Sequence, residues 1–260
     1  MSEGRATKRV LITGANGLIG TMLRERLGDR YEFRGLVRSA VDFPAHIGDI
    51  TDLEGILPAF EGIDAVVHMA GDPSPSATWE SVYRNNILGT YNVYEACRRN
   101  GVGAVIFAST NHTQAMWEVE CAPEVYQSGV GETLHSDDPF RPDSFYGWSK
   151  ASGETLGRYY HDAFGLRVFC LRIGWVMRGD DPETVDTSGE LVPPIERDAA
   201  RDRGRAIYLS HRDCAELIRC CLDADHVGYG IYYGISNNAG AFYDMTNARE
   251  ELGYVPRDGA

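Results

Sequence analysis

Residues 9–20 read Arg9-Val-Leu-Ile-Thr13 and then Gly14-Ala-Asn16-Gly17-Leu18-Ile19-Gly20. The first five form a short β-branched run that stops at a glycine. From Leu18 to Leu27 apolar residues recur at helical spacing. A strand, a glycine loop and a helix therefore follow one another directly. Each glycine has its own task in that setting. Gly14 permits the tight turn, Gly17 lets a pyrophosphate approach backbone N–H groups at the helix start, and Gly20 lets the helix pack closely on the sheet. Glycines also mark ordinary turns, but the place between an amino-terminal strand and a helix predicts a dinucleotide-binding loop.

The alternation continues outward. Strand-like runs recur at Phe33–Val37, His46–Ile47, Ala65–Met69, Ala104–Ala108 and Arg167–Ile173, with long helical patterns over Trp79–Arg99 and Ser144–Ala163. This predicts an α/β fold, a Rossmann-type doubly wound parallel sheet. Beyond Gly174 the character changes. Residues 176–205 mix Pro, Gly, Asp and Arg, include Pro193-Pro194, and read as a long loop or lid. His211–Ala224 reads as a helix, Gly230–Ile235 as a strand and Thr246–Leu252 as a short helix. The expected organisation is a dinucleotide-binding domain over 1–175 and a small carboxyl-terminal substrate-side lobe over 176–260. That tail is too small to bury a core alone, so the two form one structural unit.

Composition narrows the function. With 43% hydrophobic and 24% charged residues in 260, the chain reads as an ordinary globular protein. A net charge of −13 argues against nucleic acid as partner, because the overall field repels a polyanion. No apolar run approaches the ~20 residues of a membrane span, and the polar start lacks the order of a signal peptide, so a cytoplasmic location is expected. The six cysteines include no Cys-x-x-Cys pair and read as buried thiols rather than metal ligands or disulfides. Only Lys8 and Lys150 are lysines.

Three further stretches carry chemistry. After the second strand, where an acid would accept hydrogen bonds from the adenosine ribose, stand Val37-Arg38-Ser39. Arg38 and Ser39 suit a 2′-phosphate, which favours NADP over NAD, although Arg38 stacked on adenine would leave NAD open. Asp49, in Gly48-Asp49-Ile50, is a candidate adenine contact. Tyr146 and Lys150 are four apart on a predicted helix and share a face. A nearby ammonium stabilises a phenolate, so Tyr146 can take a proton from a substrate hydroxyl as hydride leaves. Finally, Ser109-Thr110-Asn111-His112 falls at the end of the fifth strand, where ligands bind in such sheets and where polar side chains suit a polyhydroxylated molecule.

Thr13 to Gly20, Gly48 to Ile50, Asn85-Asn86-x-x-Gly-Thr90 and the Tyr-x-x-x-Lys pair together resemble the extended short-chain dehydrogenase/reductase, or NAD-dependent epimerase/dehydratase, family. The resemblance implies a catalytic set of Thr110, Tyr146 and Lys150, with Lys150 also holding the nicotinamide ribose. It implies cofactor contacts from Ile50, Ala70, Gly71 and Asn86. Residues 107–113, 141–150, 171–174 and 209–214 narrow it to the uronate dehydrogenases and haloarchaeal NAD-dependent glucose-6-phosphate dehydrogenases. These imply oxidation at C1 of an anionic aldose, a uronate or sugar 6-phosphate, to a lactone. Ser109, Asn111 and His112 would bind the sugar, Trp175 would shape the pocket, and Arg203 would hold the anionic group. The alternatives are a nucleotide-sugar epimerase or carbonyl reductase on the same scaffold, or a non-catalytic NAD(P)-sensing regulator. The resemblance also implies a homodimer paired through the two long helices.

Overall fold

In the computed structural model β1 (Arg9–Thr13) lies within a parallel sheet. The structure describes residues 7–127, 133–184, 191, 194–195 and 197–260. The other strands are β2 (Glu32–Val37), β3 (Ala45–Ile47), β4 (Ala65–His68), β5 (Ala104–Thr110), β6 (Arg167–Ile173) and β7 (Tyr229–Gly234). Their order is β3-β2-β1-β4-β5-β6-β7, every pairing parallel. Chain direction across the sheet reverses between β1 and β4, which opens a crevice beyond their carboxyl ends. Alternate residues of β1 serve opposite layers. Val10 and Ile12 pack with Met22 and Leu23 on one face, and Leu11 with Val93 and Tyr94 on the other.

The helices are α1 (Leu18–Leu27), α2 (Leu53–Ile56), α3 (Trp79–Val82), α4 (Gly89–Asn100), α5 (Ala115–Cys121), α6 (Phe145–Phe164), α7 (Arg197–Ala206), α8 (His211–Asp223) and α9 (Thr246–Leu252). The helix expected over Trp79–Arg99 is present but not regular. A wider π-type stretch, Tyr83–Leu88, joins α3 to α4, and such stretches recur at functional sites. Strand β5 runs two residues beyond the expected Ala108, because Ser109 and Thr110 still pair with Arg172 and Ile173.

The 176–205 segment departs from the expectation of a plain loop. Its residues 185–190, 192–193 and 196, including the first of the two prolines, lie outside the described residues. Yet α7 forms within it. This helix buries Ala199, Ala200, Arg203 and Ala206, one face at helical spacing. A face made of alanines and one arginine gives no hydrophobic signal in sequence.

Residues beyond 175 also complete the sheet. β7 pairs with β6, and α8 packs on α1. A third cluster, with Val125, Tyr126, Leu134, Ile207, Tyr233, Phe242 and Tyr243, gathers pieces of four segments. Among the described residues no helix is long and apolar enough to cross a membrane.

Candidate active site

A cavity of about 820 Å³ runs from the glycine loop to α6. At one end Gly14, Asn16, Gly17, Leu18, Ile19 and Gly20 line it, with Arg38, Asp49 and Ile50. Gly14 has φ +70°, and a Cβ there would sit 3.1 Å from the Ala70 nitrogen. Gly17 caps α1 with no side-chain hydrogen bond, and the first turn carries no acid. The first N–H groups of the helix thus remain unpaired and face a cavity. That donor set fits the pyrophosphate of a dinucleotide. Asp49 accepts from the Thr51 N–H at 2.9 Å. This bond, with Arg38 and Arg84 nearby, holds its carboxyl below the usual range. Of the Arg38-Ser39 pair, Arg38 lines the cavity, whereas Ser39 is exposed and does not.

Buried polar groups brace this end. The Thr13 hydroxyl accepts from the Ala70 N–H at 3.1 Å and lies 2.7 Å from Nδ1 of His68, while Nε2 of His68 lies 3.2 Å from Thr90 Oγ1. Burial, with the charge of Lys150 adding to it, pushes the His68 pKa down to about 3. The ring is therefore neutral and ties β1 to β4 and α4. Asn86, expected to face the cofactor, instead holds the cavity wall. It accepts from the Asp72 N–H at 2.7 Å, donates to the Asp72 carbonyl at 3.0 Å, and donates to Ser149 Oγ at 3.1 Å. Ala70 and Gly71, either side of that wall, do line the cavity.

At the far end Thr110, Asn111, His112, Tyr146, Lys150 and Trp175 share the lining. Ser144 caps α6 and accepts from the Gly147 N–H at 3.1 Å, which aims Tyr146 inward from the first turn. Gly147 was not singled out in the sequence, yet a Cβ there would sit 2.3 Å from the His112 carbonyl oxygen. Only glycine lets α6 approach the end of β5 this closely. Lys150 is buried and donates to the Ala108 carbonyl at 2.7 Å, with its nitrogen 5.9 Å from the centre of the Tyr146 ring. Burial lowers its pKa to about 8, which leaves it mostly charged at neutral pH. The Thr110 hydroxyl donates to Asn111 Oδ1 at 3.3 Å. Trp175 is fixed by its backbone, its N–H donating to the Ile207 carbonyl at 2.8 Å and its carbonyl accepting from Leu209 at 2.9 Å.

Two expected sugar ligands are engaged elsewhere. Ser109 touches the cavity, but its hydroxyl donates to Glu154, which pairs with Arg172 at 2.9 Å. The alternation of β5 turns Ser109 away from the face that presents Thr110. Arg203 does not line the cavity and has no exposed surface. Its Nε donates to Glu118 at 2.6 Å, beneath Tyr126 and Tyr243. The structure thus places Arg203 against Glu118 and outside the cavity lining, and its buried Nη1 has no hydrogen-bond partner among the described residues. Glu118 and Glu154 were not singled out in the sequence, and Arg172 stood there only as part of the 171–174 stretch; their buried pairing is what reveals their role.

The fold, the glycine loop at the sheet's reversal and the Thr-Tyr-Lys cluster define a Rossmann-type enzyme of the extended short-chain dehydrogenase class. The chain belongs to the NAD dependent epimerase/dehydratase family, whose model matches residues 10–185. It is 38% identical to the NAD-dependent glucose-6-phosphate dehydrogenase of Haloferax volcanii, over 96% of this chain and 93% of that one. An L-arabinose 1-dehydrogenase (NAD(P)(+)) of the same organism is 37% identical over 96% of both chains. Among solved structures, uronate dehydrogenase from Agrobacterium tumefaciens superposes with a TM-score of 0.79 at 30% identity, covering 98% of this chain and 86% of that one.

Proposed function

We propose that this protein oxidises C1 of an aldose to a lactone, passing hydride to NAD(P). The observation that carries the reading is the convergence of Thr110, Tyr146 and Lys150 at the opposite end of one cavity from the glycine loop. Bound NAD(P) supplies the hydride acceptor. Tyr146 takes the proton of the C1 hydroxyl as the C1–H bond breaks, and the C1–O bond becomes a carbonyl within the ring ester. Lys150 holds positive charge beside the phenol and lowers the cost of the phenolate. Thr110 turns its hydroxyl from Asn111 to the reacting oxygen. Asn111 and His112 take ring hydroxyls, and Trp175 forms the wall that limits sugar size.

The sugar-phosphate and uronate relatives support an anionic aldose, a uronate or a sugar 6-phosphate. A second reading, an uncharged aldose, is favoured by the pairing of Arg203 with Glu118, and the arabinose relative is consistent with it. For the cofactor, Arg38 at the adenosine end and the absence of an acid in Val37-Arg38-Ser39 support NADP, with NAD also accepted. A cytoplasmic enzyme drawing on the cell's nicotinamide pool follows from this reading. So does a homodimer, supported by the exposed aromatics of α3 and α6, where Trp79 meets Phe145 and Trp148 with centroids 5.6 and 5.7 Å apart. The test is purified protein with NAD or NADP and glucose 6-phosphate, glucuronate or L-arabinose. Absence of nicotinamide reduction across the panel would refute the reading.

A further inference from the structure

We propose that Asp143 is a positioning residue that keeps the proton of His112 on Nδ1, so that Nε2 meets the substrate as a hydrogen-bond acceptor. The consequence for substrate choice rests on the sugar-dehydrogenase reading above, while the proton's position does not. Nδ1 of His112 lies 2.9 and 3.1 Å from the two carboxylate oxygens. The Asp143 side chain has no exposed surface and that of His112 only 7%. An ionised carboxylate only accepts, so a hydrogen bond at these contacts requires the proton on Nδ1. A neutral ring protonated there has a bare Nε2.

The surroundings hold this arrangement on both sides. Ser144 donates to Asp143 Oδ1 at 2.9 Å while capping α6, which ties the carboxylate to the turn that carries Tyr146. The backbone of His112 is fixed by its N–H, which donates to Thr110 Oγ1 at 3.3 Å, and by its carbonyl, packed against Gly147. The ring stands edge-on to Tyr146 with centroids 5.7 Å apart and lines the cavity.

Because His112 lines the cavity beside Tyr146, we assign it the hydroxyl next to the carbon on which Tyr146 acts. A bare Nε2 requires that neighbour to donate, and by accepting its hydrogen bond keeps that hydroxyl from donating to the Tyr146 phenolate. The site therefore selects a C2 hydroxyl as donor, not merely a polar group. A fluorine at C2, which accepts weakly and cannot donate, is refused.

The direct test is the ¹⁵N spectrum of the histidine rings of the full chain at pH 8, with the His112 signals identified by their loss in His112→Gln. A protonated Nδ1 and a bare Nε2 are expected. Protonation on Nε2 would overturn the proposal whether or not any sugar is turned over. The kinetic arm compares glucose 6-phosphate or L-arabinose with its 2-deoxy-2-fluoro analogue. Asp143→Ala should cut the preference for the hydroxyl sugar by about tenfold, while the dissociation constant of the dinucleotide changes less than about twofold. A folded Asp143→Ala protein that keeps the preference would also overturn the proposal, because electronic effects of fluorine cancel in the ratio. If no sugar is oxidised by the unmodified protein, the functional reading fails and the ring spectrum still decides the position of the proton. It decides likewise if Asp143→Ala fails to fold.

Discussion

Nε of Arg203 lies 2.6 Å from Oε1 of Glu118, and neither side chain has any exposed surface. A pair this deep is costly to break from one side, since the remaining charge is left without water or partner. Arg203→Leu is expected to lower stability by about 3–5 kcal/mol, measured by urea unfolding. Joining it with Glu118→Gln should restore much of the loss. Any change in KM should be equal for glucose 6-phosphate and L-arabinose. A rise confined to the phosphate sugar would return Arg203 to the binding site.

Tyr146→Phe removes only the oxygen proposed to accept the substrate proton. The turnover number should fall about 10²–10⁴-fold, the range of a lost acid–base group. Dinucleotide affinity, followed by titration, should stay within about threefold, because the residues proposed to hold most of the cofactor, Gly14 to Gly20 with Ala70 and Gly71, line the cavity independently of that hydroxyl. Retained turnover would remove Tyr146 from the chemistry.

Lys150 is buried with a pKa lowered to about 8 from 10.5. Between those values the unfolded chain holds a proton that the folded chain lacks, so stability rises with pH across that window. Below pH 8 both states are charged and the full cost, on the order of 3 kcal/mol, is present. Lys150→Met should therefore stabilise the ligand-free protein at pH 7 by about 1–3 kcal/mol, allowing for the lost bond to Ala108. The gain should shrink from pH 8 to 10.5 while activity is lost throughout. Thermal unfolding across pH 6–11 would show it, and a gain that grows with pH would contradict the assignment.

Arg38 is the exposed cation at the adenosine end of the cavity. Arg38→Asp should raise KM for NADP at least about tenfold and lower it for NAD, since a carboxylate repels the 2′-phosphate and accepts from a 2′-hydroxyl. In the unmodified enzyme the KM for NADP should rise with salt more steeply than that for NAD. Equal salt slopes would mean that Arg38 ignores the phosphate.

Trp79 and Trp148 stand on neighbouring helices with 49% and 41% of their surfaces exposed. Replacing both with serine should shift the chain from dimer to monomer in light scattering after size separation, without loss of the fold by circular dichroism. A monomeric unmodified protein at micromolar concentration would end the dimer proposal.

The parts legible in the sequence were those where a local pattern has one structural solution. The run from Arg9 to Gly20 could hardly be other than a strand, turn and helix, and Tyr146 with Lys150 needed only helical spacing to share a face. What stayed hidden depends on partners far along the chain. Ser109 and Thr110 are adjacent, and only the pleat of β5 decides which one faces the cavity. Arg203 reads as a ligand until Glu118, 85 positions earlier, is seen against it. Helix α7 escaped because alanine and charge dominate its sequence. Asp143 stood only as part of the 141–150 stretch, because its meaning lies in one ring nitrogen of His112, 31 residues away.

The packing of α1 on α8 sets an order for biosynthesis. Met22, Leu23 and Leu27 leave the ribosome before the face that covers them, which includes Leu217, Ile218 and Cys221 and lies nearly two hundred residues later in the chain. Tyr31 must likewise wait for Asp223, to which it donates at 2.7 Å. The nascent α1 therefore carries an uncovered apolar face until α8 is made, a state that invites aggregation and chaperone capture. The helix that follows the glycine loop is thus made well before the helix that seals it.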